Sequence, residues 1–131
     1  LTTTFTIEEA VELVPWLQST FDNVRFLIDK LDSLARDVDG KSLQLQSDGG
    51  NEAEEEVSKA EKSRREVARE VRLLIDSVEK KGVLIKDIQR GLFDFPSLRE
   101  GNVIYLCWLA GEPDLEYWHT IDSGFAGRQL L

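Results

Sequence analysis

Between Val103 and Thr120 the chain reads VIYLCWLAGEPDLEYWHT. This stretch holds its one cysteine, its one histidine, two of its three tryptophans and both tyrosines. Residues of these types can do several kinds of chemistry. Cys107 beside His119 would make a nucleophile and its base, provided the side chains lie within hydrogen-bond reach. His119 near Glu112 can move protons around neutral pH. With oxygen donors from Asp87, Asp94, Glu112, Glu116 and Asp122 it can hold a divalent ion. Trp108, Tyr117 and Trp118 offer flat apolar walls for a ligand, and Arg90, Arg99 and Arg128 can grip a carboxylate or phosphate. Gly124, Gly127 and Arg128 would let backbone amides approach an anion as well. The bland alternative makes His119 a core imidazole between Trp108 and Tyr117, with Glu112 capping a turn and the arginines solvated.

Register separates these readings. Val103–Ala110 is rich in β-branched and aromatic residues and reads as a strand. Gly111–Asp114 reads as its loop, and Leu115–Asp122 as the returning hairpin partner. Pairing Ala110 with Leu115 sets Leu106 opposite His119 and Cys107 opposite Trp118. Opposed residues share a face, so Cys107 and His119 are expected on opposite faces. The dyad then fails unless a bulge intervenes, and Cys107 is left as packing. No HxxxH or CxxC spacing marks a metal centre. No metal is therefore assigned, Asp87, Asp94, Glu112 and His119 being the nearest approach to a ligand set.

The elements that must position these residues divide at Gly82, where the apolar period changes from helical to nearly two. Thr6-Ile7-Glu8-Glu9 is a capping box. Behind it Val14, Leu17, Phe21, Val24, Ile28, Leu31, Ala35 and Val38 alternate three and four apart, which predicts a helix over 6–38. Pro15 interrupts that pattern and predicts a kink or a fresh start. Residues 39–51, from Asp39-Gly40 to QSDGGN, read as a polar loop and the stretch most prone to disorder. Ala53, Val57, Ala60, Arg64, Val67, Val71, Leu74 and Val78 predict a second helix over 52–81. Acidic residues crowd its first turns, and Lys80-Lys81-Gly82 closes it.

The expected fold is α+β in a single domain, 1–131. A long antiparallel, coiled-coil-like helical hairpin is followed by a small antiparallel sheet over 83–122 and a C-terminal loop over 123–131. Val83–Asp87 reads as a strand, and Gly91–Pro96 as an irregular extended piece. Leu13, Leu27, Leu34, Ala68 and Ile75 widen the apolar stripes beyond one seam, so two hairpins are expected to pair into a homodimer.

A formal charge of −9 and a pI near 4.6 oppose nucleic-acid binding, which draws on Lys and Arg, and oppose anionic membrane surfaces. KSRRE at 62–66 is the densest basic run, and acidic neighbours enclose it. No apolar run approaches the ~20 residues of a membrane span, and no leader pattern is present. A cytoplasmic protein is expected.

The runs FTIEEAVELVP, GVLIKD, RGLFDFP, VIYLCW, GEPDLEYWH and GFAGRQ resemble the bacterial family known as domain of unknown function 2203, over essentially the whole chain. The matching signature falls on Asp87, Gly91, Asp94, Phe95, Pro96, Cys107, Trp108, Gly111, Glu112, Trp118, His119, Gly124, Gly127 and Arg128. Leu130 departs from it where proline is expected. The resemblance implies a small stand-alone cytoplasmic bacterial protein, and the family has no established activity, substrate or cofactor. Because the signature is weighted toward polar and aromatic residues, a ligand or partner site is expected on the sheet, built from Asp94, Trp108, Glu112, Trp118, His119 and Arg128. The leading expectation is a non-enzymatic binding or scaffold protein. The alternative is a small, metal-dependent enzyme using His119 and nearby carboxylates.

Overall fold

The first helix starts where its cap places it. Thr6 N donates to Glu9 Oε1 at 2.9 Å and Glu9 N to Thr6 Oγ1 at 3.1 Å, the reciprocal pair of a capping box. The Thr6 donors hold the Glu9 carboxyl below its ordinary pKa. In this computed structural model, which describes residues 3–48 and 50–131 without the side chains of 45–48, helix α1 spans Ile7–Asp48 and α2 spans Asn51–Lys80. Two expectations need correction. The helix runs unbroken through Pro15 rather than restarting there. It also continues through Asp39-Gly40 to Asp48, so most of the expected 39–51 loop is helical. Residue 49, and the side chains that flank it in that expected loop, lie outside the described residues. The turn dipeptide was outweighed by the sum of helix-competent neighbours, since an isolated glycine costs a helix only ~1 kcal/mol.

The described chain forms two compact units. One is Asn23–Leu74, the body of the helical hairpin. Its two helices pack along the anticipated seam: Val24, Ala60, Val67 and Val71 are buried, and Arg64, the polar intrusion, is exposed. No helix among the described residues is long and apolar enough to cross a membrane.

The other unit joins the residues up to Asp22 with Ile75–Leu131. It contains an antiparallel meander of β1 (Leu84–Asp87), β2 (Leu92–Arg99), β3 (Asn102–Leu109), β4 (Tyr117–Thr120) and β5 (Gln129–Leu130), with a 3-10 turn at Phe125–Gly127. The expected irregular piece around Pro96 is thus a regular strand. Pro96 lies beyond the end of β1, whose pairing reaches only Leu92–Asp94, so no β1 carbonyl misses its N–H. Instead Phe5 N donates to Pro96 O at 2.7 Å, and Ser97 Oγ donates to Phe5 O at 2.6 Å.

Strands β2 and β3 join through Glu100-Gly101, both at positive φ (51° and 80°). These are the backbone angles of the type I′ turn that suits a twisted hairpin. Gly91 is required for a different reason: a Cβ there would lie 2.6 Å from Ala110 Cβ and 2.8 Å from Phe21 Cζ.

One face of the sheet packs onto the helix ends of its own unit. Phe93, Phe95, Ile104, Leu106 and Trp108 cluster with Ala10, Val14, Leu17 and Val78. Phe93 stacks on Trp108 at 5.9 Å between ring centroids, and Phe5 meets Phe95 edge-on at 5.4 Å. Burying a side chain of this size contributes ~1.5–3 kcal/mol. This apolar layer fixes the alternation of the strands, and so decides what faces the other way.

Candidate functional site

The β3–β4 register differs from the expected one. Tyr105 pairs with His119, Leu106 with Trp118 and Cys107 with Tyr117. The connection runs over Ala110–Glu116 rather than through a four-residue loop. Glu112 causes the difference. Its N–H donates to Leu109 O at 3.0 Å, its carbonyl accepts Trp108 Nε1 at 3.0 Å, and its carboxylate accepts Leu109 N at 2.7 Å. Gly111 N donates to Gln18 Oε1 at 2.9 Å, which ties the turn to α1. Leu115 is drawn into the core instead of pairing with Ala110. A shift of one residue moves a strand's whole side-chain set to the other face. Cys107 and His119 therefore share a face, against the sequence expectation.

Asp94 joins them, because it pairs directly with Cys107 across β2 and β3. Donor atoms of Asp94, Cys107 and His119 all lie within 4.8 Å of one another. The three residues are 1%, 1% and 3% exposed. His119 Nε2 lies 3.0 and 3.1 Å from the two Asp94 carboxylate oxygens, and Nδ1 lies 2.7 Å from Thr120 O. A carbonyl only accepts, so Nδ1 carries a proton and donates it. Nε2 and the Asp94 carboxyl hold one further proton between them. Burial, reinforced by the neighbouring Asp94 carboxylate, pushes the Cys107 thiol up to about 12. Cys107 is accordingly a thiol at neutral pH, not a nucleophilic thiolate.

Aromatic and basic side chains border this cluster. The Tyr105 ring meets His119 edge-on at 5.5 Å, with Lys86 Nζ 4.8 Å from the Tyr105 centroid. The Arg128 guanidinium lies 3.9 Å from the Tyr117 ring and 4.7 Å from that of Phe125, while Arg90 meets Phe125 at 4.9 Å. Arg128 Nη2 donates to Glu112 Oε1 at 2.6 Å and, at 3.4 Å, to Cys107 O. Four of the anticipated polar residues thus meet at Cys107 as two pairs: Asp94–His119 at its side chain, Glu112–Arg128 at its carbonyl.

The remaining candidates are dispersed. Asp87 Oδ1 accepts Gln89 N and Arg90 N at 3.0 and 3.1 Å, shaping the β1–β2 turn. Trp108 is fully buried in the apolar layer rather than lining an open wall. Trp118 lies on that same side of the sheet, under Arg99 at 4.4 Å. The Gly127 and Arg128 amides donate to Gly124 O and Phe125 O, so they serve the turn. What sequence reasoning missed was Cys107 as a partner of Asp94 and His119. A sequence signal existed: all three residues fall on the shared signature, where a purely apolar role asks for no such types.

The model of an uncharacterized conserved protein family, DUF2203, matches residues 3–131. The chain belongs to that family. No curated protein and no solved structure matches it.

Proposed function

We propose that this DUF2203 chain is a non-enzymatic, cytoplasmic binding or scaffold protein with a partner site on the sheet and a helical hairpin that joins two copies. One observation carries the reading. The acid–base groups that a small enzyme would turn toward substrate are enclosed and already engaged within the chain. His119 is 3% exposed with both ring nitrogens occupied, and Glu112 is held by Leu109 N and Arg128. A general base must reach the proton it removes, and neither group reaches solvent unpaired. The alternative, a small metal-dependent enzyme, retains one specific support in the meeting of Asp94, Cys107 and His119.

The sheet instead offers solvent a cleft lined by Arg99, Glu100, Val103, Trp118, Ile121 and Asp122, with Val103 and Ile121 substantially exposed. An aromatic wall beside exposed aliphatic side chains suits a partner segment that brings an apolar side chain. On the hairpin, Phe26 is 68% and Leu73 57% exposed, large apolar side chains of the kind a second copy would cover.

Both halves are testable. Sedimentation equilibrium in the micromolar range is expected to give a dimer that Phe26→Glu converts to monomer. A wild-type monomer throughout that range would remove the scaffold claim. A photo-crosslinking side chain at Ile121 is expected to capture one discrete partner in cells, with the same group at exposed Glu55 capturing none. Equal yields at the two positions would remove the cleft.

A further inference from the structure

We propose that Asp94, Cys107 and His119 form a binding site for a thiolate-preferring divalent transition-metal ion of the Zn2+ class, a reading independent of the partner cleft. The donors come from three adjacent strands, β2, β3 and β4, and their ligand atoms lie within 4.8 Å of one another. Around a tetrahedral ion with bonds of ~2.0–2.3 Å, donors stand roughly 3.3–3.7 Å apart. Closing this cluster on an ion therefore asks for side-chain shifts on the order of 1 Å. The set is one sulfur, one imidazole nitrogen and one carboxylate oxygen. That mixture suits zinc and its neighbours and disfavours Mg2+ and Ca2+, which take oxygen ligands.

Two further features fit an ion. His119 Nδ1 donates to the Thr120 carbonyl at 2.7 Å. This is how a metal-ligating histidine is usually oriented, with its other nitrogen aimed at the metal. Charge balance also closes. Without an ion, the thiol is neutral and the proton shared by His119 and Asp94 cancels the carboxylate charge. With an M2+ ion, thiolate and carboxylate cancel the cation, and the thiol proton and the shared proton leave to solvent. The buried site is neutral in both states, so loading it requires no uncompensated charge in the interior. The fourth tetrahedral position falls to a water molecule.

The test uses the full chain, without a histidine tag, dialysed against a chelator and titrated with Co2+ and then Zn2+. Co2+ is expected to raise a near-ultraviolet thiolate charge-transfer band that saturates at one equivalent, and Zn2+ to abolish it by displacement. Zn2+ is expected to raise the melting temperature, and Mg2+ to leave it unchanged. Cys107→Ser should lose the band and bind Zn2+ at least about a hundredfold more weakly, at or beyond the 10–100-fold typical of outer-shell losses. Asp94→Asn should weaken binding while keeping the band. Absence of a saturable band in the wild type, or Zn2+ affinity unchanged in Cys107→Ser, overturns the proposal. Should Cys107→Ser fail to fold, the wild-type His119 ring resonances decide instead. They shift to a new position at one equivalent of Zn2+ if the site exists, and stay in place if it does not.

Discussion

The two faces of the β2–β3–β4 sheet each enclose a buried cluster, yet the clusters are made of opposite materials. Toward the helix ends lie Phe93, Phe95, Ile104, Leu106 and Trp108. On the reverse lie Asp94, Cys107, His119, Tyr105 and Tyr117, tied by hydrogen bonds and ring contacts. The first face is explained mainly by the hydrophobic effect, which is non-directional and tolerates exchange among side chains of similar volume. The second is not. A buried carboxylate beside a thiol is costly unless its partners sit at defined positions, so this face depends on identity and geometry rather than bulk. A residue type can therefore be burdensome for stability and still be informative about function.

The largest effects should come from the apolar face. Trp108→Ala or Phe95→Ala is expected to cost about 3–5 kcal/mol in urea unfolding, a large share of the margin of a small domain. A loss below about 1 kcal/mol would mean that this face does not carry the core. Next comes the polar face, where His119→Leu leaves the Asp94 carboxylate buried without its partner and should cost about 3 kcal/mol or more. The double variant Asp94→Leu/His119→Leu should recover much of that loss, because no charge is then stranded. Additive losses would show that the pair is not coupled.

The third effect is an alkaline pH dependence at the polar face. Burial raises the folded-state Cys107 thiol from 9.0 to about 12. Between those values the unfolded chain holds fewer protons than the folded one, so stability falls as pH rises. In metal-free protein, the Cys107 contribution to the unfolding free energy should be steady below pH 9.0 and decline toward about 12, with Cys107→Ser flatter over that window. Equal slopes would place Cys107 in contact with solvent. The smallest effect is at the rim, where the Glu112–Arg128 pair is 23% and 11% exposed in its side chains. Glu112→Gln keeps an acceptor for Leu109 N and should cost about 1 kcal/mol.

Much of this could be read from the sequence, and what could not has a common cause. The capping box, both helices, the helical seam and the change of period at Gly82 follow from local patterns, and the structure carries all of them. Helix α1 runs past Asp39-Gly40 because that dipeptide is a turn signal only where nothing continues the helix. Pro96 argues against a regular strand in one dimension, because the sequence does not show which neighbours its missing N–H would face. The register error was the consequential one. Counting from a tight turn at Gly111–Asp114 ignored that Glu112 can bind Leu109 N, Trp108 Nε1 and Arg128 together. Those contacts depend on a turn shape that no spacing rule encodes. That error alone hid the Cys107–His119–Asp94 cluster, although each member stood out by its chemical type.

The side-chain register of β3 against β4 is therefore the quantity to measure first. A nuclear Overhauser spectrum of the metal-free protein reads it directly. Contacts from the Cys107 β-protons to the His119 ring, and from Tyr105 to His119, are the expected result. Contacts from Cys107 to the Trp118 indole, and from Leu106 to His119, would place the cysteine and histidine on opposite faces and contradict the account.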